Sequence, residues 1–146
     1  MAERMVRRIG VRQRLAAGSL GCGASSGDVD ELLRVARLSF VQLQAAWDRA
    51  DLGLLGQMTT GPLLEDLRQQ LVERGPGVNH TEVVTLNARL LSIDELRDAY
   101  VASVEFTGLI REALDTAACP FRELWLLANV KTQQHGWQLA RVQSLT

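Results

Sequence analysis

The sequence predicts an α+β domain, with N-terminal helices packed on one face of a bent, mainly antiparallel four-stranded sheet. Two observations carry this. Apolar residues recur at three- and four-residue spacing up to residue 74, and at two-residue spacing from residue 84 onward. A turn-forming run, RGPG at 74–77, separates the two regimes.

The helices come first. Leu33, Ala36, Phe40, Leu43 and Trp47 form one stripe over four turns. Asp28 or Asp30 suits its start, where carboxylates meet the positive end of the helix. Asp48 to Asp51 ends it. LGLLGQM, residues 52–58, is a short second helix weakened by Gly53 and Gly56. Thr59 or Thr60 begins a third, with Pro62 in its first turn and Leu63, Leu64, Leu67 and Leu71 on its apolar face.

The strands follow. In VVTLNARLL, residues 83–91, Val84, Leu86, Ala88 and Leu90 alternate with Thr85, Asn87 and Arg89. In AYVASVEFTGLI, residues 99–110, Tyr100, Ala102, Val104, Phe106 and Ile110 share a face, against Val101, Ser103, Glu105 and Thr107. FRELWLLANV (121–130) and GWQLARVQSL (136–145) supply two more strands. Asp94–Asp98 and Gln133–Gly136 are hairpin turns, and Asp115–Pro120 is a longer loop.

Residues 1–27 stand apart from the domain at 28–146. They hold Arg4, Arg7, Arg8, Arg12 and Arg14 against Glu3 alone, whereas the remainder is net acidic. Residues 4–17 suit either a disordered basic tail or a short amphipathic helix on an anionic membrane surface, and they also resemble an organelle presequence. GSLGCGASSG, residues 18–27, reads as a flexible linker. Cys22 is not a lipoprotein cysteine, because arginines replace the apolar run a signal peptide needs. No run of the sequence is apolar and long enough to span a bilayer. The acidic body argues against nucleic-acid binding, which requires clustered cations.

Chemistry-bearing motifs are scarce. Cys22 and Cys119 have no metal-ligand spacing and read as free thiols, so no metal and no cofactor is expected. His80 and His135 fall in turns and are expected at the surface with no catalytic role. Asn79 heads an NHT triplet, a chance match to a glycosylation acceptor. Glu105 alternates onto the polar sheet face and is expected to be solvated. Glu123 shares a face with Phe121 and Trp125. It either serves as an acid or base or pairs with Arg141 on the next strand, and the ion pair is the preferred reading. A bent sheet over a long helix leaves a conical interior. Its expected lining is Phe40, Leu43, Trp47, Phe106, Trp125 and Trp137, which either plug the cone or line a pocket in it. Packing is the preferred role for Trp47.

VARLSFVQLQAAWDRADLGLLGQMTT (35–60), NHTEVVTLNARLL (79–91), YVASVEFTGLIRE (100–112), FRELWLLANV and GWQLARVQSL together resemble the bacterial branch of the translocase-of-the-inner-membrane subunit 44-like domain family. The similarity covers residues from about 29 to 146. QAAWDRAD followed by TT, and the GWxLAxxQ ending, are its most specific pieces. The resemblance implies a cone-shaped fold like that of nuclear transport factor 2. It also implies a non-enzymatic binding or scaffold role linked to protein transport, at the inner face of the inner membrane. The expected occupant of the cone is a lipid tail or an apolar peptide, with the basic leader touching the membrane surface. The alternative is a small-molecule carrier, or an isomerase or dehydratase, with Glu123 and Tyr100 as the polar groups inside the cone. A homodimer through the exposed sheet face is a third expectation.

Overall fold

The computed structural model describes residues 26–75, 80–112, 116–133 and 136–145. The leader with its five arginines, Cys22, Asn79 and His135 lie outside the described residues. Among the described residues, three helices, α1 (Ser26–Asp48), α2 (Leu52–Met58) and α3 (Gly61–Arg74), precede four strands. These are β1 (Glu82–Glu95), β2 (Ala99–Arg111), β3 (Cys119–Val130) and β4 (Gln138–Ser144). The strands pair in sequence order, and every neighbouring pair is antiparallel. The expected α+β class therefore holds.

Local chemistry sets the helix ends. Helix α1 already runs at Ser26, so Asp28 and Asp30 stand inside its first turns rather than capping it. Ala50, at φ 55°, turns the chain out of α1 in a left-handed conformation that a side chain makes costly. Asp51 caps α2, accepting a hydrogen bond from the Leu54 amide at 3.1 Å. Thr60 occupies the cap position of α3 without a side-chain bond, and the Thr59 hydroxyl donates back to the Leu55 carbonyl at 2.7 Å. Gly75, at φ 78°, closes α3 with its amide on the Leu71 and Val72 carbonyls.

One buried cluster joins the layers. Ala36, Phe40, Leu43 and Trp47 from α1 meet Leu63, Leu67 and Leu71 from α3 and the inward residues of β2, β3 and β4. Strand β1 departs from simple alternation. Register shifts at 83–85 and 90–92 each insert an extra residue. The first turns Val83 inward and leaves Val84 42% exposed, so Val84 does not share the face of Leu86, Ala88 and Leu90. Strand β3 begins at Cys119, inside the stretch expected to be loop. Gly108 permits a close approach of β1 and β2, because a Cβ there would lie 2.1 Å from the Thr85 carbonyl oxygen.

Candidate functional site

Four aromatic rings gather where α1 meets the sheet. The Phe40 ring lies 4.9 Å from that of Phe106, 5.4 Å from Phe121 and 5.1 Å from Trp125, and Phe106 meets Trp125 edge-on. These four rings come from one helix and two adjacent strands, and offset and edge-on arrangements of this kind favour packing. Trp47 lies one end of α1 away from them, 1% exposed, with the Arg74 guanidinium 5.4 Å above its ring. Arg74 also donates to the Trp47 carbonyl at 2.7 Å, which ties the end of α1 to the end of α3.

Beside this packed zone the layers part. A cleft of about 90 Å³ opens between α1, α2 and the β3–β4 pair. Leu43, Trp125, Leu127, Trp137 and Leu139 form its apolar walls, and Ser39, Gln42, Gln57 and Met58 complete the lining. Of the six residues proposed from sequence, Leu43, Trp125 and Trp137 come together at the cleft. Phe40, Trp47 and Phe106 are enclosed in the core. The polar members were missed because Ser39 and Gln42 sit at the margin of the α1 stripe, where helical spacing alone does not separate a cleft from solvent. Gln57 and Met58 reach the cleft only because α2 turns back over β4. There the Thr60 amide donates to the Leu139 carbonyl at 2.9 Å.

Two polar expectations are corrected. Tyr100 is not inside. It is 38% exposed beside the β1–β2 turn, with the Lys131 ammonium 4.8 Å from its ring centre. Glu123 is enclosed at 1% exposure, but its expected partner is on the other side of the sheet. Arg141 stands opposite Leu126, whose side of β3 is the reverse of that of Trp125 and Glu123. Glu123 Oε1 instead accepts a hydrogen bond from Trp125 Nε1 at 3.2 Å. Gln44 is also enclosed, and its Oε1 has no hydrogen-bond partner among the described residues. His80 is exposed, as expected.

The outer side of the sheet has its own organisation. Glu105 is 8% exposed rather than solvated. Arg122 donates to its Oε2 through Nε and Nη2, at 3.1 and 2.7 Å, and Arg89 Nη2 lies 3.1 Å from Oε1. Ser92, Ser103 and Leu124 are buried around it, although no described helix packs on this side. At the other end of the domain, Asp48 accepts from the Thr81 amide and hydroxyl at 2.7 and 2.9 Å. Burial raises the Asp48 pKa, opposed by the two Thr81 bonds and by the positive fields of His80 and Arg74.

No metal-holding group of three or more His, Cys, Asp or Glu side chains occurs among the described residues. No described helix is long and apolar enough to cross a membrane. A family model for the Tim44-like domain matches residues 25–144. Among solved structures, the chain is similar to a nuclear transport factor 2 (NTF2-like) superfamily protein from Salmonella enterica serovar Typhimurium. The identity is 11% over 80% of this chain and 91% of that one, with a TM-score of 0.47. It is also similar to a ketosteroid isomerase-like protein from Erwinia carotovora atroseptica, at 17% identity over 80% of this chain and 98% of that one, with a TM-score of 0.39. No curated protein matches the chain.

Proposed function

The chain belongs to the Tim44-like domain family, and from that premise we propose that it is a non-enzymatic binding or scaffold module that anchors an apolar peptide through the cleft beside Trp137. The observation that carries this reading is the size and lining of the cleft. Pockets that enclose a whole small molecule run from about 300 to 1,000 Å³. A cleft of about 90 Å³ suits one side chain, which favours a peptide anchor over a whole lipid tail. Leu43, Trp125 and Trp137 supply apolar contact, and Gln42, Gln57 and Ser39 are placed to meet the backbone of the same peptide. The basic leader, through Arg4, Arg7, Arg8, Arg12 and Arg14, adds weak attraction to an anionic membrane surface, about 1 kcal/mol per cation near it. This accords with a peripheral position at the inner face of the inner membrane and a link to protein transport. The alternative of a carrier or isomerase of the same fold is weakened by the outward position of Tyr100.

The test uses the two tryptophans of the cleft as reporters. Intrinsic fluorescence is followed while the full chain is titrated with an acetylated, amidated Ala-Gln-Leu-Gln-Ala peptide, and with the same peptide carrying Ala in place of Leu. The leucine peptide should quench or shift the emission saturably, and the alanine peptide should bind at least tenfold more weakly, about 1.4 kcal/mol. Met58→Asp should weaken the leucine peptide by a similar factor. Equal binding of the two peptides removes the anchor reading. A lipid released in one-to-one amount by organic extraction of the purified protein replaces it with the lipid-tail reading.

A further inference from the structure

The strand register places four arginines on the outer side of the sheet: Arg111, paired with Glu82 at one end, and three nearer the middle. Arg89 lies beside Glu105, Arg122 beside Thr107, and Arg141 beside Leu126. Glu105 is held between Arg89 and Arg122, while the other carboxylates of this side lie toward its ends, Glu82 beside Arg111 and Asp94 beside Val101. Arg141 makes no ion pair among the described residues. Arg89, Arg122 and Arg141 against Glu105 therefore leave two positive charges in excess at the centre of this face, on a chain whose residues beyond 27 are net acidic. The side chains of Arg89 and Arg122 are 69% and 52% exposed, so their unused guanidinium hydrogens face solvent.

We propose that the outer face of the sheet is a docking surface for an acidic polypeptide segment, with Arg89, Arg122 and Arg141 as its carboxylate-binding residues. Three considerations select this occupant. A second copy of the chain would bring two positive faces together, which repel. An anionic membrane rewards many projecting cations, whereas Glu105 draws two of these three down against the sheet. A carboxylate side chain meets a guanidinium through paired hydrogen bonds, and an arginine already oriented by Glu105 loses less freedom in making them. Spacing agrees as well. Arg122 and Arg141 are offset by four positions along adjacent strands, about 13 Å, which extended acidic residues four apart would span. The acidic remainder of the surface repels the same segment and so steers it to this face. The surface is on the opposite side of the sheet from the cleft, so either site can fail while the other stands.

The experiment measures fluorescence anisotropy of a labelled ten-residue polyglutamate with the full chain at low and physiological salt. Saturable binding that weakens with salt is expected. Arg141→Gln should weaken it at least threefold and Arg89→Gln with Arg141→Gln at least tenfold. Arg49→Gln, off this face, should leave it within twofold. Arg141→Gln leaves the Glu105 bridge intact, so it reports on binding even if the double variant folds poorly. A full-length chain with the five leader arginines changed to glutamine should bind within twofold of wild type. Unchanged binding by Arg141→Gln overturns the proposal, as does loss of binding in the leader variant. Dependence on Arg141 seen with dioleoylphosphatidylglycerol vesicles but not with the peptide assigns the face to a membrane. A dimer in sedimentation that Arg141→Gln disrupts assigns it to a second copy.

Discussion

Strands β2 and β3 show two different ways in which a side chain leaves water. On the inner side, Phe106 and Trp125 are enclosed because α1 lays Phe40 across them. On the outer side, Glu105 and Leu124 are almost as fully enclosed with no described helix over them. The inner residues are covered by another layer of structure, and their burial removes apolar surface from water. Glu105 is instead held by two guanidiniums that remain mostly in solvent. Low exposure on the two sides therefore has different energetic content. The inner side should dominate stability, and the outer side should matter chiefly for what it can bind.

The sharpest way to break this contrast is at Trp47. It is enclosed between α1 and α3, and Trp47→Ala should cost roughly 3–5 kcal/mol in denaturant unfolding, because the vacated space cannot fully collapse. A cost near 1 kcal/mol would mean that water readily replaces the ring and that the core is looser than its packing implies. Gly108→Ala should come next, at about 1–3 kcal/mol, because the added methyl meets the Thr85 carbonyl and the Phe121 ring. The damage should appear as faster amide exchange along β1 and β2 while α3 stays protected. Uniform loss of protection would show that the sheet and helices open together.

On the outer side, Glu105→Gln should cost only about 1 kcal/mol, since both arginines can return to water. A loss as large as that of Trp47→Ala would erase the distinction between the two sides. The smallest effect concerns Asp48. Burial raises its folded pKa above the unfolded value, so the folded state holds the proton more tightly. The stability that follows is complete below the unfolded carboxylate pKa and is lost as pH rises through the raised folded value. Asp48→Asn has no such proton. Its unfolding midpoint should gain on that of wild type as pH rises from below the ordinary carboxylate pKa through the raised folded value. A midpoint difference that stays constant with pH would show that the Thr81 bonds cancel the effect of burial.

Periodicity by itself determined the order of elements, the α1 stripe and, Tyr100 apart, the inward faces of β2 and β3. Side-chain direction follows a helical or strand period once the backbone type is set. The residues QAAWDRAD and GWQLARVQ were enough to indicate the family. Tertiary structure decided what period could not express. The bulge at 83–85 exchanged Val83 for Val84, because one inserted residue reverses alternation without changing composition. Strand register put Arg141 opposite Leu126 and so denied it to Glu123. The same register set Glu105 between Arg89 and Arg122, residues 16 positions before it and 17 after it in the chain. The cleft exists because α2, seven residues long, folds back against β4 through Thr60 and Leu139. Local preferences act over a few residues, whereas ion pairs, registers and clefts depend on which distant segments meet, and only the packed chain settles that.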